Sequence, residues 1–339
     1  MRKKQSVTIY DVAREAGVSM ATVSRVVNHN HNVRPDTKEK VLAVVKRLNY
    51  RPNDVARGLA SKKTTTVGVI IPNVTNDYFA ALARGIDDIA EMYEYNIILT
   101  NSDGNSQKEI QALNTLFSKQ VDGLIFMTNQ LSEMVRKELQ TEHLPVVLAG
   151  SVDAEQQLPS VNIDYQKAVY AQVNQLIATG NERIAFVADD LELAINKSFR
   201  IQGYRDALAH AGIPFRKELL IEARDGNYQA GYRLRHRLVQ QQATAAMVSN
   251  DELAAGVVNS LTDHGIQVPD QFEVVTSNDT KLTEITRPSL SSITQPLYDI
   301  GAVAMRMLTK LMDNEQLTTN NVLLSFGLKA RQSTKSREV

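Results

Sequence analysis

The sequence predicts an all-α head, a three-helix unit with a helix-turn-helix and a short linker helix, joined to an α/β body of two parallel-sheet subdomains. Three observations carry this. The first fifty residues hold short amphipathic stretches separated by a glycine turn. From Val67 onward, β-rich runs alternate with amphipathic helical stretches, the pattern of parallel sheets covered by helices. About ten strands in this stretch exceed what one modest sheet holds, and 339 residues exceed one ordinary core.

In the head, residues 8–28 read TIYDVAREAGVSMATVSRVVN. Thr8 is placed to cap a helix whose apolar positions Ile9, Val12, Ala13 and Ala16 recur at helical spacing. Gly17 supplies the left-handed residue that ends it. Ser19 starts a second helix with the stripe Met20, Val23, Val26 and Val27, and a short Gly-containing turn between two such helices is the helix-turn-helix pattern. Pro35 begins a third helix with Val41, Leu42, Val45 and Leu48 expected inward, ending before Pro52.

The outward residues of the second helix are chemically varied. In this motif the start of that helix meets base edges in the major groove. Arg25 suits a bidentate contact to guanine, while Met20 and Ala21 offer apolar contact such as to a thymine methyl. Tyr10, Thr22, Ser24, Asn28 and Asn32 suit phosphate contacts that set register, and Thr8 and Ser19, at the helix starts, join the DNA-contact candidates. An ordinary solvated surface is the competing reading of each polar residue.

Charge agrees with a head that meets a polyanion. The chain is neutral, with 38 Lys+Arg and 38 Asp+Glu. Residues 1–63 hold 14 basic against 5 acidic side chains, so the remainder holds 24 against 33. Next come Tyr50-Arg51-Pro52-Asn53 and DVARGLASKK. Asn53 can cap a short helix through Ala60 that is too short and Gly-containing to persist alone. It reads as a linker that folds on binding, with Leu59 suited to a minor-groove wedge; a plain tether is the alternative.

These stretches, TIYDVAREAGVSMATVSRVVN, RPN and VARGLA, resemble the LacI/GalR family of bacterial repressors along the whole chain. The resemblance implies that the linker is a hinge helix, paired across a homodimer on a palindromic operator, with Asn53, Arg57, Leu59 and Ala60 among the DNA contacts. Domain boundaries follow: a helix-turn-helix domain over 1–52, hinge and linker over 53–63, and a two-lobed effector, corepressor and dimerisation domain over 64–339.

Strands are expected at 67–71, 96–100, 122–127, 145–149, 183–187, 245–249 and 273–277. Helices are expected at 79–94, 107–118, 165–179, 199–211, 228–241, 252–264 and 297–312. Ligands in such folds sit at the carboxyl ends of the strands, which makes the loop 72–79, with Asn76, Tyr78 and Phe79, a pocket candidate. The resemblance implies a periplasmic-binding-protein-like sensor. Arg200, Gly203 and Tyr204 match the family's Arg-x-x-Gly-aromatic element, and residues 249–257, with Asp251, match its Asn-Asp element. Both can equally be helix starts. Where the family carries Gly-Phe-Asp-Asp or Gly-Phe-Asp-Asn, this chain has Thr276-Ser277-Asn278-Asp279, which weakens the case for a sugar effector.

The stretches YNIILTNSD, KQVDGLIFM and QPLYDIGAVAMRMLTK resemble the branch of the family that carries out carbon catabolite control. That branch is corepressed by the phosphocarrier protein HPr phosphorylated on a serine, with sugar phosphates as adjuncts. A phosphoserine asks for guanidinium donors. The helix 297–312 is expected to bury Ile300, Val303, Ala304, Met307 and Leu311 and to expose Tyr298, Asp299 and Arg306. By resemblance these three, with Asp88 and Arg331, form the docking surface, Arg306 facing the phosphoserine. Without the resemblance, a solvated helix face would be the reading.

Other classes find little support. There is no cysteine, which removes disulfides, thiolate metal sites and cysteine nucleophiles. GxGxxG, P-loop, HExxH and GxSxG motifs are absent, and the six histidines lack metal-ligand spacing, so neither enzyme, metal nor cofactor is expected. A free-standing solute receptor would need an export signal, and none is visible. No apolar run is long enough for a bilayer, and a cytoplasmic location is expected. Within regulators, a repressor released by a sugar or sugar-phosphate inducer is the alternative.

Overall fold

The computed structural model describes residues 7–27, 33–50 and 63–336. Contacts divide the chain into two units, Met1–Thr64 and Thr65–Val339. The linker helix, and the DNA contacts expected of Asn28, Asn32, Asn53, Arg57, Leu59 and Ala60, lie outside the described residues.

The head packs α1 (Ile9–Ala16), α2 (Met20–Val27) and α3 (Pro35–Leu48) around Val12, Ala16, Val23, Val26 and Val41. Thr8 stands at the start of α1, where the Asp11 carboxylate accepts its N–H (3.0 Å) and its hydroxyl (2.7 Å). Those hydrogen bonds hold the Asp11 carboxyl below its usual range. Gly17 takes φ 61°, and the Val18 N–H donates back to the Ala13 carbonyl (3.1 Å), the closure a left-handed residue permits. One expectation fails here. Leu42 is 42% exposed and Val44 takes its place in the core, because α3 turns the face through 41 and 44 onto its small neighbours.

The body's first lobe comprises β1 (Thr66–Ile71), α4 (Asp77–Met92), β2 (Asn96–Asn101), α5 (Ser106–Ser118), β3 (Gly123–Phe126), α6 (Glu133–Thr141), β4 (Val146–Ala149) and β5 (Ser160–Ile163). The chain then builds the second lobe. It runs through α7 (Tyr165–Ala178), β6 (Ile184–Ala188), a π-helical turn (Ile195–Arg200) continuing into α8 (Ile201–His210), and β7 (Leu220–Glu222). There follow α9 (Tyr228–Arg233), α10 (Arg235–Gln240), β8 (Ala245–Val248), α11 (Asp251–Asp263), β9 (Glu273–Thr276), α12 (Leu282–Ile285) and β10 (Ser291–Thr294). The helix α13 (Leu297–Met312) and β11 (Asn321–Leu324) return to the first lobe, and β12 (Gly327–Lys329) closes the second. The chain therefore passes between lobes three times.

The sheets share one plan: β11-β5-β4-β3-β1-β2 and β12-β10-β9-β8-β6-β7. All described pairs are parallel except β10 with β12. Val67 aligns with Ile97 on one side and Gly123 on the other. Helices cover both faces, so central strands such as Val146–Ala149 are buried throughout. The expected strands all form. The strands β5, β7, β10, β11 and β12 had no comparable signal, and the expected helix 228–241 is two helices meeting at Leu234.

The helices α4 and α13 touch backbone to backbone. A Cβ on Gly85 would stand 2.0 Å from the Tyr298 carbonyl oxygen, and one on Gly301 2.0 Å from that of Leu82. Glycine is needed at both crossings because no side chain fits there.

Candidate DNA-reading head and sensor cleft

On the head, the second helix of the turn motif starts at Ser19, whose Oγ accepts the Thr22 N–H (3.2 Å) and lies 2.9 Å from the Thr22 hydroxyl. Ser19 and Thr22 therefore satisfy one another locally. Met20 (42% exposed), Ala21 and Arg25 stand outward on α2, and Ser24 is half-buried. On α1, Tyr10 is 66% exposed. Arg14 pairs with Asp11 (2.8 Å) and Arg47 with Glu15, ties that brace the helices behind the outward face.

The body's second feature is a cleft of about 450 Å³ between the lobes. Its walls come from the carboxyl ends of the strands: Pro72, Asn73, Asp103 and Thr128 from the first lobe, Asp189, Asp225, Ser249 and Asn278 from the second, as the switch-point rule for such sheets requires. Asn76, Tyr78, Phe79, Arg200 and Asn278 line it. Asn76 caps α4 by accepting the Tyr78 N–H (3.0 Å) and donates across the mouth to Glu252 Oε1 (3.3 Å).

Arg200 lies at the back of the cleft, 8% exposed, with Nη1 donating to Asn196 Oδ1 (3.1 Å) and the guanidinium 5.2 Å from the Tyr165 ring centre. Its Nε has no partner among the described residues. Burial pushes the Tyr78 and Tyr165 phenols up, so both are neutral at physiological pH. Gln295 Nε2 donates to Asn278 Oδ1 (3.1 Å), which ties this cleft residue to the crossing that leads into α13.

Asp251 departs from the expectation of a cleft ligand. It is buried outside the main wall and accepts from the Thr276 hydroxyl (2.7 Å), the Asn278 N–H (3.3 Å), and the Thr280 N–H (2.8 Å) and hydroxyl (2.7 Å). Burial pushes its carboxyl up against those bonds. The carboxylate positions the segment carrying Asn278 and has no lone pair left to offer.

Charged groups at two places escaped the sequence reading. Glu109 lies buried beneath the floor, accepting the Thr128 hydroxyl (2.6 Å), and burial raises its pKa. The buried pair of Arg136 and Asp153 (2.7 Å) pins the loop behind Gly150–Val152. Neither belongs to a periodic pattern or motif, so only folding reveals them.

On the outer face of the first lobe, Tyr298, Asp299 and Arg306 are exposed on α13 beside half-buried Asp88 on α4. The Tyr298 hydroxyl donates to Asp88 Oδ2 (3.1 Å), a bond that raises the Tyr298 pKa. Arg84 pairs with Asp88, adding a second guanidinium to this face. Arg331 is elsewhere. It sits in the second lobe, 9% exposed at the side chain, paired with Asp279 (2.6 Å) and donating to the Leu290 carbonyl (2.9 Å). The docking role expected of it is withdrawn, because its guanidinium is consumed internally.

Residues 8–53 match the model of bacterial regulatory proteins of the lacI family, and residues 64–328 match that of periplasmic binding proteins and the sugar binding domain of the LacI family. The chain belongs to the LacI family. It is 55% identical to catabolite control protein A of Streptococcus mutans over 335 residues, covering 99% of this chain and 100% of that one. It is 51% identical to catabolite control protein A of Priestia megaterium, covering 97% and 100%. Among solved structures it is similar to the transcription regulator CcpA of Lactococcus lactis (45% identity, TM-score 0.77, 80% of this chain and 99% of that one). It is also similar to the Lac repressor dimer bound to operator and the anti-inducer ONPF (26% identity, TM-score 0.88, 98% and 100%). This LacI-family chain is thus a DNA-binding transcription regulator and not an enzyme. No helix among the described residues is long and apolar enough to cross a membrane.

Proposed function

We propose that this regulator serves carbon catabolite control in the cytoplasm, binding a palindromic operator as a homodimer and gaining affinity when HPr phosphorylated on serine docks on it. The supporting observation is the face of α4 and α13. Arg84 and Arg306 provide guanidinium donors beside Asp88, Tyr298 and Asp299, a set that suits a phosphoserine flanked by polar groups. The names of the relatives point the same way. Two heads on one palindrome make dimerisation a condition of tight binding, with Arg25 reading a base and Thr8, Tyr10, Ser19, Thr22 and Ser24 along the phosphates.

The deciding experiment is an operator gel shift with and without serine-phosphorylated HPr. Affinity should rise with the partner, and Arg306→Ala should remove that rise. A rise that survives the substitution would move the docking site, and no rise in the unaltered protein would remove the corepressor. A repressor released by a small molecule is the second reading, favoured by the cleft and by the unpartnered Arg200 Nε.

A further inference from the structure

The stretch Arg233-Leu234-Arg235-His236-Arg237 places three arginines and a histidine within five residues of the second lobe. It spans the junction of α9 and α10, where Leu234 keeps helical angles (φ −76°, ψ −17°), so helical spacing holds through it. Ala230, Leu234 and Leu238 form the buried stripe. Beside that stripe Arg233, His236 and Arg237 are exposed together, at i, i+3 and i+4. Val239, three residues beyond His236, is 48% exposed and continues the surface.

These cations do little for the fold. None of the four has an ion pair or a side-chain hydrogen bond among the described residues, whereas Arg84, Arg136, Lys197 and Arg331 all meet carboxylates. Asp263 of α11, the helix packed on α9, accepts from the Tyr232 hydroxyl (2.9 Å) and from none of the arginines. Arg183 shows the contrast. Its guanidinium closes the end of α10 by donating to the carbonyls of Gln241 (2.6 Å) and Gln242 (3.1 Å). The negative helix end gives Arg237 a structural reason, but Arg233 and Arg237 are like charges at i and i+4, which costs helix stability.

A basic surface that folding does not need calls for an acidic partner. Duplex DNA is the poorer fit. Beyond residue 63 the chain holds 33 acidic against 24 basic side chains, a field that opposes a long polyanion running past the patch. A short acidic segment meets only the patch itself. Guanidinium groups beside an exposed aliphatic side chain match the composition of protein interfaces, and their planar forks pair with carboxylates through two hydrogen bonds.

We propose that the face formed by Arg233, His236, Arg237 and Val239 is a protein-docking surface separate from that of α4 and α13. Its occupant is an acidic segment of a partner protein, with carboxylates at i, i+3 and i+4 beside an apolar residue.

Fluorescence anisotropy on the full chain tests it, the probe being a labelled helical peptide with glutamates at that spacing and one leucine. The peptide should bind, more weakly as salt rises, and Arg233→Gln with Arg237→Gln should weaken it at least about fivefold. No binding at millimolar concentration, or equal binding by the double variant, would overturn the proposal. The variant's unfolding midpoint should be unchanged or higher, because a like-charge pair is removed; a lower midpoint would make the arginines part of the fold and sink the docking role. Operator affinity should keep its salt dependence in the variant. A slope smaller by about two would put both arginines on DNA phosphates instead. Sedimentation should give both proteins the same mass, and a smaller mass for the variant would make this face a contact between copies of the chain. The gain in operator affinity from serine-phosphorylated HPr should survive the double substitution; its loss would merge this face with the α4–α13 docking surface and end its separate role.

Discussion

Arg331 shows how a single residue's role depends on what surrounds it. Its partner Asp279 holds a left-handed φ of 53°, a conformation that costs energy for a non-glycine residue, and the pair at 2.6 Å helps to hold it. Arg331→Ala leaves that carboxylate without its cation and should cost about 3 kcal/mol in denaturant unfolding. A folded Arg331→Lys should keep full affinity for serine-phosphorylated HPr, and a loss there would return Arg331 to the docking face. Asp153 makes a pH prediction. Burial disfavours its charge, but hydrogen bonds from Arg136 and the N–H groups of Leu158, Glu155 and Gln157 outweigh this and hold its pKa at about 2, below the ordinary 3.8. An acid depressed in the folded state contributes stability above its unfolded pKa and loses it as pH falls through the folded one. About 2 kcal/mol should therefore disappear between roughly pH 4 and pH 2, and Asp153→Asn should flatten that part of an acid-unfolding curve. At the head, Arg25→Ala should cost about 1–3 kcal/mol of operator affinity and relax preference at one base pair. A uniform loss across sequences would make Arg25 a phosphate contact.

Among elements, the contact of α4 with α13 is the most constrained. Gly85 and Gly301 let the two backbones meet, and a methyl at either would lie 2.0 Å from a carbonyl oxygen. Gly301→Ala must push the helices apart, at an overpacking cost of about 1–3 kcal/mol, read as a lower denaturation midpoint. The same displacement separates Asp88 from Tyr298, so corepression should weaken more than operator binding alone. The expected inward residues of α13 were legible from 3.6-residue periodicity, and Ile300, Ala304 and Met307 are buried. The glycine contact was not, because a glycine in a helical pattern does not announce which backbone approaches it.

For the whole molecule, three chain crossings and a buried hydrophobic cluster shared by both sheets join the lobes, and a side-chain hydrogen bond spans the cleft mouth, Asn76 Nδ2 to Glu252 Oε1 at 3.3 Å. Partner or ligand binding that alters lobe orientation must make or break it. Glu252→Ala should open the cleft, seen as a larger radius of gyration in small-angle scattering, while Glu252→Gln keeps an acceptor and should not. Equal curves for both would show that this hydrogen bond does not set the angle. Charge acts at this scale too. Basic residues concentrate in the first 63 and acidic ones beyond, so operator affinity should fall steeply with salt, in proportion to the phosphates contacted.

Sequence alone determined the two-part architecture, because helical spacing around Val12, Val23 and Val41 and the continuous apolar runs of the central strands each admit one kind of structure. It also determined the family, through the turn around Gly17 and the second helix after it, and it placed Asn76, Tyr78, Phe79 and Arg200 near a common cleft. Tertiary structure alone decided which charges are available. Asp251 and Arg331 looked free and are consumed by Thr276, Thr280 and Asp279, while Glu109 came to support the cleft floor from beneath and Arg84 to join the outer face. Pairing is settled by residues far apart in the chain, and local pattern carries no record of them.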